Sequence, residues 1–265
     1  MAIIENLTTA PEVALVGSAM VIGYYALFEL AAKTIKIPKF SHQKSLSIAL
    51  TFPALLHDIM VIVFPVLYWI THGPTLHKYG DLWNNIMNLD TSAYFLVHGI
   101  ILKKYNMFTT NHAIHHIATI VCAFGVTITG ETPVGVAVEF CLHLSHIPLH
   151  MRCILRDFGL KYTSAYEYVE AFYFGVYAFE RTVGLTYLMK VSIFDVQVNM
   201  FLNIMLCAIY IQSIVFIYQI VLLTLKKYKN YKERVKTGIK YEWMTECPDA
   251  QYLSYYRKEK KEKIF

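Results

Sequence analysis

The chain has 265 residues, 56% of them hydrophobic and only 16% charged, with a mean hydropathy of +0.41. The formal net charge is +5, and residues 226–265 alone carry twelve basic against six acidic side chains. This balance excludes a soluble enzyme and a nucleic-acid-binding domain spread over the chain, and it points to an all-α polytopic membrane protein. The five cysteines form no C-x-x-C pair, so they read as small packing residues and suggest neither a disulfide framework nor a cysteine metal site.

In chain order, residues 1–12 form a short segment with two acids, Glu5 and Glu12, and no Arg-rich presequence or basic signal region. A first helix is predicted from Val13 to Ala32 and a second from Leu46 to Ile70. Residues 71–88 read as a polar loop around Gly73-Pro74. A short third helix is predicted from Leu89 to Leu102, a fourth from Phe108 to Thr129 and a fifth from Thr132 to Ile154. A sixth follows from Thr163 to Leu188 and a seventh from Val196 to Leu225. The expected division is thus a membrane domain over 13–225 and a basic tail over 226–265. Flanks rich and poor in Lys and Arg alternate along this layout if the third helix spans. That alternation gives about seven spans, with the N-terminus outside and the tail inside.

Two adjacent apolar segments carry most of the ionisable groups. His112, His115 and His116 fall at i, i+3 and i+4, and Glu139, His143, His146 and His150 follow at offsets 0, 4, 7 and 11. Each set shares one helical face. Such groups are costly in lipid and are expected to face the protein interior. With the expected orientation, His57, Asp58, His98 and Glu170 lie in the same inner-leaflet layer. Five helices therefore aim titratable groups at one pocket. The H-x-x-H-H spacing fits metal ligation of the desaturase type, acid–base work, or hydrogen bonding between helices. Desaturase chemistry uses more histidine boxes than this chain offers, so no metal and no other cofactor is expected.

His115-His116, followed by H-L-S-H-I-P-L-H-M-R from His143 to Arg152, resembles the TLC-domain family, which includes ceramide synthases and smaller TLC-domain proteins. The smaller members place an acid, a serine and an arginine after the histidine pair, and His143, Ser145 and Arg152 stand at those positions. The segment F-E-R-T-V-G around Arg181 and the His57 position are similar to that family too. The resemblance implies a TLC-like bundle that holds a lipid or an acyl-CoA. Ceramide synthases, however, carry aspartates around the serine, where this chain has Leu144 and His146, and their acid is replaced here by His143.

These departures argue against turnover. If turnover occurs, the resemblance implies acyl transfer by His115 and His116 with a substitute carboxylate, Glu139 first, then Asp58 and Glu170. Fatty-acyl elongases, which share Asp90-Thr91, Lys103-Lys104 and the H-x-x-H-H run, are a second resemblance. An eroded site would instead suit an accessory subunit of a large membrane assembly, for example a respiratory-type complex. The expected pocket thus comprises His57, Asp58, His98, His112, His143, Ser145, His146, His150, Arg152 and Glu170, with Arg181 in a structural ion pair. Expected partners are membrane lipids and other membrane subunits, with no nucleic acid. The expected membrane is either endoplasmic reticulum or mitochondrial inner membrane.

Overall fold

The computed structural model describes residues 10–73, 76 and 80–247, and these are helical with no strand among them. In chain order the helices are α1 (Ala10–Thr34), α2 (His42–His72), α3 (Leu82–Lys104), α4 (Thr110–Thr129), α5 (Thr132–His143), α6 (His146–Asp157) and α7 (Ser164–Phe179). A π-helical turn, Glu180–Gly184, leads into α8 (Leu185–Lys190). A second π turn, Val191–Asp195, precedes α9 (Met200–Thr237).

Five stretches among the described residues are long and apolar enough to cross a membrane: Glu12–Thr34, His42–His72, His112–Thr129, Thr132–Asp157 and Met200–Thr237. The chain is an all-α polytopic membrane protein. Its outer faces carry Leu15, Ile22, Ile70, Ile117, Ile128 and Ile211 exposed, the surface expected where lipid replaces water.

The helix starts follow a common rule. Ser41, Asp81, Thr109, Thr163 and Asn199 each accept a hydrogen bond from the backbone N–H three residues on, which satisfies a donor that the helix leaves free. Asp81 therefore starts α3 well before the expected Leu89. At 23 residues and ~1.5 Å per residue, α3 is long enough to span. Its polar first half looked like a loop because Asn84 and Asn88 are turned inward. Asn88 donates to the carbonyls of Asn84 (2.8 Å) and Thr132 (3.2 Å).

Three other expectations are corrected. The fifth helix breaks at Leu144-Ser145, the sixth contains a π turn at Glu180–Gly184 and continues past Leu188 into the second, and the last runs past Leu225 to Thr237. The part of the basic tail from 248 to 265, and residues 74, 75 and 77–79 of the expected loop, lie outside the described residues.

Helix α3 packs against α1, α2, α4 and α5. One apolar cluster joins α1, α2 and α3 around Phe28, Leu50 and Val97, and a second joins α4, α5, α8 and α9 around Val138, Leu185 and Leu202. The polar residues of α2 to α6 meet between them.

Candidate functional site

Phe95, on α3, sits among four imidazoles. Its ring centroid lies 6.2 Å from His57, 5.3 Å from His115, 5.2 Å from His116 and 6.2 Å from His143, all edge-to-face. Edge-to-face contact suits aromatic quadrupoles and holds each ring at a fixed angle. The phenyl separates the α4 histidines from those of α2 and α5. The single pocket expected from the helical phases is therefore two neighbouring groups around one apolar ring.

On the α4 side, His116 is buried, and its two nitrogens are engaged by the His112 carbonyl (2.8 Å) and His98 Nδ1 (3.2 Å). His98 stacks on Phe28, with centroids 5.4 Å apart. His112, expected in the pocket, closes a capping box with Thr109 at the start of α4. His115 is the accessible member, near enough to His143, His146 and Arg181 to interact electrostatically with them.

On the α5–α6 side, three histidines converge on Asp58 of α2. His143 Nδ1 lies 2.6 Å and His146 Nδ1 3.1 Å from Oδ1, while His150 Nε2 lies 2.8 Å from Oδ2. Asp58 is 1% exposed. The break at Leu144-Ser145 sits between His143 and His146, and Glu180 holds it. Its carboxylate accepts from the Ser145 N–H (3.0 Å) and hydroxyl (2.5 Å).

Arg181 was expected to find its partner on another helix, because neighbours on an α-helix diverge by about 100°. Instead its Nε donates to Glu180 at 3.1 Å, within the π turn, and its Nη1 to Ser213 of α9 at 3.3 Å. A long arginine reaches an adjacent acid in α6 as well, where Arg156 Nε lies 3.1 Å from Asp157 Oδ1.

A second carboxylate–imidazole pair, absent from the sequence-derived site, involves Asp90. His57 Nδ1 lies 3.0 Å from Asp90 Oδ2, and the Tyr24 hydroxyl of α1 reaches both Asp90 oxygens at 2.9 Å. His57 is fully buried and stacks on Tyr94 with centroids 3.9 Å apart. Its Nε2 has no hydrogen-bond partner. The His57 and His143 rings are 5.2 Å apart, so the two pairs are neighbours.

The remaining candidates lie elsewhere. Glu139, expected to orient His115 or His116, accepts from Thr91 at 2.9 Å. Arg152 pairs with Glu170 at 2.8 Å, and Lys227 contacts the same carboxylate. That cluster ties α6, α7 and α9 together and does not join the imidazoles. Sequence reading thus missed Tyr24, Asp90, Phe95 and Glu180 as parts of the site. Asp90 and Glu180 gave a signal, as acids in apolar runs; Tyr24 and Phe95 gave none.

Asp90 and Glu139 also line a small cavity walled by Met20, Met60, Phe64, Met87 and Val136. Glu139 further borders an apolar cleft between α4, α5 and α9, lined by Cys122, Val126, Leu142, Leu202 and Leu206 among others.

The fold and site define a helical membrane bundle with an imidazole-rich interior. The family model described as TLC domain matches residues 40–232, and the chain belongs to that family. No curated protein and no solved structure matches it. The match covers α2 to α8 and most of α9. Helix α1, which supplies Tyr24 and Met20, precedes it.

Proposed function

We propose that this TLC-domain protein binds a lipid or acyl chain, with the apolar part in the methionine-walled cavity and the polar end at Asp90, Tyr24 and His57. The observation that carries this reading is the cavity itself. It is apolar along most of its wall and polar at Asp90 and Glu139, the pattern of an apolar site with a few polar groups that fix orientation. Unbranched methionines adapt to a flexible chain better than branched side chains do. On the orientation drawn from the charge pattern, the chain extends from the histidine layer toward the outer side.

The test is lipid analysis of the full chain purified in mild detergent. One acyl species per chain is expected in the wild type, and it is lost in Met87→Trp, which fills the cavity. Equal recovery from both proteins, or none from the wild type, rejects the reading.

Acyl transfer is a second reading, favoured by the bare Nε2 of His57. With Nδ1–H donated to Asp90, Nε2 is a base atom whose tautomer and direction are fixed. Acyl-CoA offered with a long-chain base, or malonyl-CoA, gives product in the wild type and none in His57→Ala on this reading. Equal product from both excludes it.

A further inference from the structure

We propose that Asp58, His143, His146 and His150 form a binding site for one divalent first-row transition ion, zinc or iron(II). This goes beyond lipid binding and does not depend on it. Counting ligands along the H-x-x-H-H run argued against a metal, because that run supplies too few. The structure brings together a different set. His143 Nδ1, His146 Nδ1 and an Asp58 oxygen lie within 4.8 Å of one another, and none of the three belongs to the H-x-x-H-H run. Two imidazoles and one carboxylate on one side of an ion are a donor set used by zinc and by non-haem iron. His150 adds a fourth donor.

The spacing fits. Nitrogen and oxygen ligands at ~2.0–2.1 Å from a tetrahedral ion stand about 3.3 Å apart. The pairs on Asp58 measure 2.6, 3.1 and 2.8 Å. Outward shifts of a few tenths of an ångström would admit the ion.

A second observation separates coordination from hydrogen bonding alone. Asp58 Oδ2 is buried and has no hydrogen-bond partner, although His150 Nε2 is 2.8 Å away. The two atoms are close, but they are not aligned as donor and acceptor. Two lone-pair atoms turned toward a shared ion produce this arrangement. His146 and His150 are only partly buried, so the site has an open side for an exchangeable ligand. The contact between the His57 and His143 rings places the ion beside the proposed polar end of the bound chain.

The full chain, purified anaerobically through a histidine-free tag into lipid nanodiscs, is analysed for metal content. It is then stripped with chelator and titrated with Zn2+ or Co2+ alone. The expected result is close to one zinc or iron per chain, a rise in melting temperature with Zn2+, and visible Co2+ absorption bands of nitrogen–oxygen ligation. His146→Ala and Asp58→Ala lose the ion, His150→Ala binds it roughly 10–100-fold more weakly, and His112→Ala, altered only at the α4 cap, retains it. If Asp58→Ala does not fold, the two histidine variants and the Co2+ spectrum of the wild type decide. A wild type without stoichiometric metal that also shows no Co2+ bands and no Zn2+-dependent stabilisation overturns the proposal. So does an ion that persists in both His146→Ala and His150→Ala.

Discussion

The Nδ1 of His143 lies 2.6 Å from Oδ1 of Asp58, although the two residues are 85 positions apart in the chain. The contact joins α2 to α5 at a point where both side chains are shut off from solvent. Removing the carboxylate takes away the acid that the three imidazoles share. Leaving a buried donor without its acceptor costs about 1–3 kcal/mol. Asp58→Ala is therefore expected to lower the unfolding temperature in detergent by many degrees, and Asp58→Asn by less. Unfolding followed by intrinsic fluorescence reads this, and a shift within error in Asp58→Ala contradicts the role given to the carboxylate.

Glu180 and Arg181 form one unit. Glu180 is 1% exposed and holds both Ser145 and Arg181. Glu180→Ala leaves Arg181 buried without its carboxylate and frees the N–H at the α5–α6 break, a loss of about 3–5 kcal/mol. Glu180→Ala/Arg181→Ala is expected to lose less than the sum of the two single variants, because neither then leaves an uncompensated charge. Additive losses would show that the residues act independently.

Gly184 marks a close approach. A Cβ at this position would overlap Cys141 Sγ, closer than real Cβ atoms approach a neighbour. Small residues allow this proximity between membrane helices. Gly184→Ala is expected to destabilise by about 1–3 kcal/mol. Cys141→Ala added to it should restore part of the loss, since the sulfur is the obstructing atom and Cys141 Cβ is 3.9 Å away. A double variant no more stable than Gly184→Ala would assign the strain elsewhere.

Asp81 caps α3 outside the apolar spans. Burial raises its carboxyl pKa, but hydrogen bonds from the Asn84 N–H, the Tyr68 hydroxyl and the Asn84 amide outweigh that and hold it below its ordinary value. A depressed acid stabilises the fold above its unfolded pKa and loses that contribution as pH falls through the lowered value. Asp81→Ala is expected to cost about 1 kcal/mol at neutral pH. The gap from wild type should narrow below roughly pH 4. Melting curves at stepped pH measure it, and a gap independent of pH would remove the carboxylate from the account.

Much of the site was legible as periodicity. The i, i+3, i+4 spacing places His112, His115 and His116 on one side of α4, and the offsets from Glu139 to His150 put four donors near one face of α5 and α6. That signal is local, because it needs only the rise and turn of a helix. It does not report which acid on another helix each imidazole meets. Glu139, one turn from His143, looked like the partner. Thr91 takes its carboxylate, and Asp58 reaches the histidines from across the bundle.

By itself, the sequence determined that the chain is an all-α polytopic membrane protein and that it has a TLC-like pattern. Each follows from composition or from spacing along one segment. Only the tertiary structure decided that Phe95 divides the histidines into two groups, that Tyr24 and Asp90 fix His57, and that Glu180 holds the break before α6. These contacts join residues tens of positions apart, and the π turn at Glu180–Gly184 shifts the register of the residues after it in a way no helical wheel contains. Helical phase is set by the backbone of one segment, whereas pairing is set by how helices pack, and packing depends on side chains from every helix at once.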